Sequence, residues 1–248
     1  MQRPAVLIVA GFDQSGGAGI LADVKTMERH GVYAYAACTG FTFQNERRIH
    51  SIHWFNEEEI YRQIDLCFES SFFDWVKIGI GQSPVKLQRV ISHLLQHHPG
   101  IKIVLDPVIQ SSGGTPFWEG INTLAFEWLL QHAFVVTPNW NEILDLYPGK
   151  DIMNECKRLS AYGNIFLKGG HNDRDPGVDY LWFNEEMIRL IPETTRVFPK
   201  HGSGCVLSSA LVSNLALGFS LPEAATRAKQ YIEQFLNSNS TLLGWHQL

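Results

Sequence analysis

The strongest constraint on this chain is an alternation between two hydrophobic patterns. One short continuous apolar run, "AVLIVAG" (Ala5 to Gly11), and four strand-like, mainly apolar runs, "WVKIGI" (Trp75 to Ile80), "IKIVLD" (Ile101 to Asp106), "AFVVTPN" (Ala133 to Asn139) and "NIFLKGG" (Asn164 to Gly170), are separated by stretches whose apolar residues recur at helical spacing. Runs without a polar alternate suit strands buried on both faces, and their alternation with helices calls for a mostly parallel sheet covered on both sides. "AYAACTGFTF" (Ala34 to Phe43) reads as a further strand. Helices are predicted after Gly19, with Ile20, Val24 and Met27 on one face, and behind an Asn56 cap, with Ile60, Ile64, Cys67 and Phe68 together. Two closing helices are predicted over Cys205 to Leu217 and Pro222 to Leu236. "VDYLWF" and "MIRLI", parted by a short turn, predict a hairpin, a small antiparallel β appendage to the sheet. No repeat, low-complexity tract or linker interrupts the chain, so residues 1–248 read as one α/β domain.

Composition narrows the function classes. A chain of 248 residues buries enough surface to need neither disulfide nor structural metal. Its four cysteines are widely spaced, with no CxxC pair and no signal peptide at the start, which points to free thiols in a reducing cytoplasm. No apolar run reaches membrane-span length. The excess of 25 acidic over 20 basic residues argues against nucleic acid or an anionic membrane as the main partner.

In open α/β sheets ligands sit at the carboxyl ends of strands, so the residues that follow each strand matter most. After the first comes "GFDQSGGAGILAD", whose glycines permit close backbone approach at a helix start. Gly17, Gly19 and Ala22 fit GxGxxA, but the acidic residue that a dinucleotide fold needs at the next strand end is replaced by Gln44, so a dinucleotide oxidoreductase ranks low. Asp23 is either a carboxylate aimed at a substrate amine or a solvated helix charge. Gln44 can read a heterocycle edge through its donor and acceptor, or bond to loop backbone. Asp106, Asn139 and Glu142 follow two strands and can organise Mg²⁺ through water, although "TPNWNE" is also a helix cap with a capping box. Lys168, followed by two glycines, suits a phosphate; the alternative is an exposed lysine before a turn.

The turn "HGSGC" opens a helix, so the amides of Ser203, Gly204 and Cys205 converge where the helix dipole favours an anion. The same field is expected to favour the Cys205 thiolate, which could attack an electrophile or take a proton from a hydroxyl being phosphorylated. A small apolar helix-start residue is the simpler alternative. A Cys–His hydrolase built on His201 has nothing else to support it.

With these residues in view, the chain resembles the hydroxymethylpyrimidine and hydroxymethylpyrimidine-phosphate kinases of thiamine biosynthesis, within the ribokinase superfamily. "AGFDQSGGAGILADVKT", "QN", "KIG", "LDPV", "TPNWNE", "LKGGH" and "HGSGC" follow one another in that family's order, from Ala5 to about Gly218. The resemblance implies a ribokinase-like three-layer α/β/α sandwich that uses ATP and Mg²⁺ as a homodimer. It implies Cys205 as catalytic base, with the Gly202, Ser203, Gly204 and Cys205 amides around the transferring phosphoryl group. By the same resemblance Gly11, Ala18, Asp23, Gln44 and Ile80 line the aminopyrimidine pocket, Lys168, Asn139 and Asp106 meet ATP phosphates, and Glu142 and Asp106 serve Mg²⁺. The chain departs from the family pattern at Glu46, where threonine is usual, at Ile80, where methionine is usual, and on both flanks of the Gly202–Cys205 turn. Two rivals stand beside the pyrimidine kinase: a pyridoxal or pyridoxine kinase, and a non-catalytic pyrimidine-binding member of the fold.

Overall fold

Strand β1 (Ala5–Asp13) carries core on both of its faces: Leu7 and Val9 pack into one hydrophobic cluster, Val6, Ile8 and Ala10 into another. That is why it reads as an unbroken apolar run. The computed structural model describes residues 3–111, 113–194 and 197–246. After β1 come α1 (Gly19–Arg29), β2 (Tyr33–Gln44), β3 (Ile49–Trp54), α2 (Glu57–Ser70), β4 (Trp75–Ile78), α3 (Pro84–His97), β5 (Lys102–Leu105) and α4 (Thr123–His132). The remainder is β6 (Val135–Val136), α5 (Trp140–Leu146), α6 (Ile152–Leu159), β7 (Asn164–Leu167), β8 (Asp179–Phe183), β9 (Glu186–Leu190), α7 (Ser203–Ala216) and α8 (Leu221–Leu236).

The strands form one nine-stranded sheet in the order β3-β2-β1-β4-β5-β6-β7-β8-β9. The six strands from β2 to β7 in that order pair in parallel, and β3, β8 and β9 join antiparallel at the two edges. One face is covered by α2 to α6 and the other by α1, α7 and α8, giving the three-layer α/β/α sandwich expected. The predicted hairpin is β8–β9, turned by Asn184 and Glu185 at positive φ of 51° and 65°. It continues the main sheet rather than standing apart. Strand β3 has no counterpart among the sequence expectations: "IHSIHW" is half-polar, and only its pairing with the exposed end of β2 makes it a strand.

Strand order reverses beside β1, with β2 on one side and β4 on the other, which places the ligand crevice at their carboxyl ends. Ladder bonding runs one step past several strands there. The Gly79 amide donates to Val9 O (2.9 Å), Asp106 to Ile78 O, Thr137 to Leu105 O and Lys168 to Pro138 O (each 2.8 Å). Residues that follow different strands are thereby held in a row. Among the described residues, no helix is long and apolar enough to cross a membrane.

Candidate active site

Two glycine turns interlock above that row. Asp13, at the end of β1, accepts hydrogen bonds from Ser15 N (2.9 Å), Ser15 Oγ (2.8 Å) and Ala18 N (2.9 Å), which shapes the loop before α1. Its Oδ2 also meets His201 Nε2 at 2.9 Å, tying this loop to the turn before α7. Burial pushes the Asp13 carboxyl up, but the His201 and Ser15 hydrogen bonds outweigh it and hold it below its usual value. Gly202, the α7 cap, sits at φ 72°, and a Cβ there would lie 2.1 Å from Gly17 O and 2.7 Å from Ala18 Cα. Gly19, at φ 57°, leaves a similar 2.2 Å to Gly11 O. Only glycine permits both approaches.

The first amides of α7, including those of Ser203, Gly204 and Cys205, have no intrahelical acceptor and carry the positive end of the helix dipole. Lys168 rises from the end of β7 to meet this turn, with Nζ only 3.2 Å from where a Gly204 Cβ would stand. A buried cation and a helix start therefore share one corner. Lys168 is not an exposed turn lysine: its Nζ pairs with Asp106 Oδ1 at 2.6 Å. Asp106 also accepts from Thr137 Oγ1 (3.3 Å) and Ser208 Oγ (3.2 Å). Burial raises the Asp106 carboxyl, yet Lys168 and Lys77 hold it below the ordinary range.

Asn139 and Glu142 form the capping box of α5: Asn139 Oδ1 accepts from Glu142 N (2.9 Å), and Glu142 Oε2 accepts from Asn139 N (2.7 Å). The local capping reading and the shared position beside Lys168 and Asp106 thus hold together. Burial pushes the Glu142 carboxyl up to about 7, against the pull of Lys168 and with Asp106 adding to the rise. As a donor set for Mg²⁺ this pair fits a cation that keeps most of its waters. Both are hard oxygen ligands, and Asp106 is already shared with Lys168, so they cannot form an all-protein cage.

Cys205 is half-buried at the third position of α7, with its thiol against the Gly19 amide. The expectation that the helix start favours a thiolate is corrected. Burial dominates and pushes the thiol up to about 11; Lys77 pulls it down, Asp23 and Asp106 push it up, and the Gly19 amide lowers it. The resting group is a thiol.

Asp23 lies neither on a solvated helix face nor at a pocket mouth. It is fully buried, with Oδ2 bonded to Lys77 Nζ (2.8 Å) and Oδ1 to Ser209 Oγ (2.7 Å), so both oxygens are engaged inside the protein. That corrects the expectation of a direct ligand to the aminopyrimidine. Lys77 was overlooked by the sequence reading. Its signal was present: a lysine in the middle of "WVKIGI" lies in a strand with no exposed face, so its charge must be paired inside.

The other pocket residues divide in two. Ile80 lies directly over Gly11, where a Cβ would come within 2.2 Å of its Cδ1, and Ala18 caps α1 beside them. Gln44 ends β2 half-buried, and its side-chain amide makes no hydrogen bond to the described residues. Glu46 pairs with Arg47 at 3.5 Å, so part of its charge is met within its own loop. A cleft of 390 Å³, lined by Trp140, Lys150, His171 and Arg174 among others, opens beside the Asn139–Lys168 end of the row.

This arrangement has relatives. The sequence profile of the phosphomethylpyrimidine kinase family matches residues 13–247. The chain belongs to the phosphomethylpyrimidine kinase family. It is 33% identical over 245 residues to the hydroxymethylpyrimidine/phosphomethylpyrimidine kinase of Staphylococcus aureus (strain Mu50 / ATCC 700699), covering 94% of this chain and 88% of that one. It is 35% identical over 241 residues to the thiamine biosynthesis bifunctional protein ThiED of Geobacter sulfurreducens, covering 93% of this chain and 48% of the longer protein. Among solved structures, the ADP complex of Bacillus subtilis pyridoxal kinase superposes with a TM-score of 0.82 at 26% identity, covering 96% and 93% of the two chains. A phosphomethylpyrimidine kinase family member with this fold accounts for the interlocked turns and for the buried cation at the start of α7.

Proposed function

We propose that this chain is an ATP-dependent kinase of 4-amino-5-hydroxymethyl-2-methylpyrimidine and of its monophosphate, acting in thiamine biosynthesis. The observation that carries the reading is the corner where the α7 amides, Lys168 and Cys205 meet, in a chain whose family and relatives are kinases of this kind. In the first transfer the Cys205 thiol gives up its own proton to solvent, and the thiolate so formed takes the proton of the substrate hydroxymethyl oxygen as that oxygen bonds to the γ-phosphorus of ATP. The bond from that phosphorus to the bridging oxygen breaks, and ADP leaves. Preorganised amides of Ser203, Gly204 and Cys205, with Lys168, hold the charge that spreads over the transferring group, where positioning and electrostatics outweigh covalent chemistry. Glu142 and Asp106 would hold Mg²⁺ through water, and that ion would neutralise phosphate charge. Gln44, which makes no side-chain hydrogen bond to the described residues, would read the pyrimidine edge, with Gly11, Ala18 and Ile80 lining the pocket.

The four free cysteines support a cytoplasmic setting, and the resemblance to the family supports a homodimer. Exposed Phe41 and Phe43 on the edge-side end of β2 are apolar surface that a second copy would cover, and sedimentation equilibrium at about twice the mass of 28.0 kDa checks it. Mass spectrometry after incubation with Mg·ATP and hydroxymethylpyrimidine, beside an identical pyridoxine reaction, tests the function. Mono- and diphosphate of the pyrimidine are expected. Phosphate on pyridoxine alone would move the assignment to vitamin B6 salvage, and no product from either would leave a non-catalytic binding protein.

A further inference from the structure

We propose that the Lys200 ammonium is a tethered substitute for a free monovalent cation: it fills a cage of backbone carbonyls built by the C-terminal turn and from there positions the glycine turn that opens α7. With the lysine removed, the cage takes a free ammonium or potassium ion. The kinetic arm of the test rests on the kinase reading; the melting arm does not.

Lys200 stands two residues before Gly202, on a flank where the chain departs from its family's pattern, and is 7% exposed. The other buried lysines among the described residues each face a carboxylate: Lys77 meets Asp23, Lys168 meets Asp106 and Lys229 meets Asp179. Lys200 has no such partner among the described residues. Its Nζ donates to Asn239 O (2.5 Å) and Thr241 O (2.9 Å) and lies 5.5 Å from the centre of the Phe198 ring. Burial alone acts on its pKa and lowers it, with no carboxylate to raise it. Neutral carbonyl oxygens and an aromatic face are the surroundings of a bound potassium or ammonium ion, not of an ordinary ion pair.

The carbonyls are held in place without the lysine. After α8 the chain turns back on itself, and Asn239 ties that turn together. Its Oδ1 accepts from Thr241 N and Thr241 Oγ1 (each 2.8 Å), and its Nδ2 donates to Leu243 O (2.9 Å). Ser238 Oγ accepts from Trp245 N (2.9 Å), and Gly244 passes so close to α8 that a Cβ there would come within 2.5 Å of the Phe235 ring. Bonds of the turn to itself and its packing on α8 therefore set where the oxygens point. Converging carbonyl dipoles repel one another unless a cation stands between them.

The same turn grips both glycine loops of the site. Leu242 O accepts from His201 N (2.9 Å). A Cβ on Gly17 would lie 2.8 Å from Leu243 Cδ2 and 2.7 Å from His201 Cδ2, so that leucine and histidine together cover the loop before α1. Lys200 and His201 are thus fixed to the C-terminal turn immediately before Gly202, whose left-handed backbone aims the first amides of α7. Loss of the cation sets the carbonyls against each other and loosens the residues from which that turn starts. The reacting groups keep their identity and lose alignment, on which phosphoryl transfer depends.

The test uses full-length Lys200→Ala, which vacates the cage, and Lys200→Met, which keeps the length of the stem without its charge. Thermal melting is followed in ammonium, potassium and choline chloride at equal ionic strength. Ammonium and potassium are expected to raise the Tm of Lys200→Ala by about 2 to 5 °C over choline, and that of the native chain, whose own ammonium holds the site, by less than about 1 °C. In choline chloride the kcat of both variants on the pyrimidine alcohol should fall about tenfold with KM changed by less than about twofold, and ammonium should return Lys200→Ala to at least about half of the native rate. A Tm of Lys200→Ala that is the same in the three salts, a chain that stays unfolded in all of them, or a lost rate that ammonium does not restore would overturn the proposal. If the native chain phosphorylates neither substrate while ammonium still raises the Tm of Lys200→Ala, the carbonyl cage stands and the kinase reading falls.

Discussion

At the scale of single residues, the site is a set of charges whose environments were set by burial. Cys205→Ala should lower phosphorylation of the alcohol by about 10²- to 10⁴-fold, the usual contribution of a positioned base, while pyrimidine binding by calorimetry survives. Gln44→Leu removes a polar side chain with no hydrogen bond to the described residues and, on the proposed pyrimidine-reading role, should raise KM for the pyrimidine about tenfold with little change in kcat. Asp13 carries a pH signature. Its folded-state acidity is greater than the ordinary value of 3.8, so the folded protein binds fewer protons than the unfolded chain just below that pH. Stability from Asp13 is therefore complete above pH 3.8 and lost as pH falls through its lower folded value. Asp13→Asn should flatten the acid-side decline of Tm, and an unchanged slope would mean that the His201 contact is absent in solution. Residue types alone pointed to the thiol, the glycines and Lys168, because each suits phosphate chemistry at a strand or helix end. They did not reveal that Asp23 turns inward, since a carboxylate on α1 has the same sequence signature whether it meets a substrate or a buried lysine.

At the scale of elements, what matters is how helix starts and strand ends are held against each other. Gly202→Ala places a Cβ 2.1 Å from Gly17 O in a left-handed backbone conformation, so it should cost about 2 to 4 kcal/mol, read from the urea midpoint. A second tie joins α8 to the turn after Lys168. Asp179 Oδ1 accepts from Gly169 N (2.6 Å), and its other oxygen pairs with Lys229 of α8 at 3.0 Å. Lys229→Met leaves Asp179 buried beside fewer partners and should destabilise by about 3 to 5 kcal/mol, with a lowered thermal midpoint as the readout. The five mainly apolar runs were legible as strands because both of their faces are largely buried, with Lys77 carried inside β4 as a paired charge. Strand β3 was not, because its pattern is half-polar and its partner lies at the edge of the sheet.

At the scale of the molecule, one sheet separates two hydrophobic clusters, and tryptophans report on each: Trp75 in the cluster under α1, α7 and α8, Trp118 and Trp182 in the other. Both clusters share β1, whose alternate residues belong to opposite sides, so neither layer can melt without stripping the other's sheet. Fluorescence and far-UV circular dichroism are expected to give coincident urea transitions, as one folding unit requires; separate midpoints would divide the chain into independent parts.

The sequence by itself determined the layered α/β architecture, the parallel centre of the sheet, the terminal hairpin and the phosphate-type corner at the start of α7. Those follow from local rules: periodicity, turn chemistry, and the free amides at a helix start. Only the tertiary structure decided which charges face one another. Asp13 meets His201 from 188 residues away, Ser209 meets Asp23 from 186, and Lys168 meets Asp106 from 62. It also reversed the expected state of Cys205, because the helix field acts locally whereas the desolvation that outweighs it comes from the whole fold closing around the thiol.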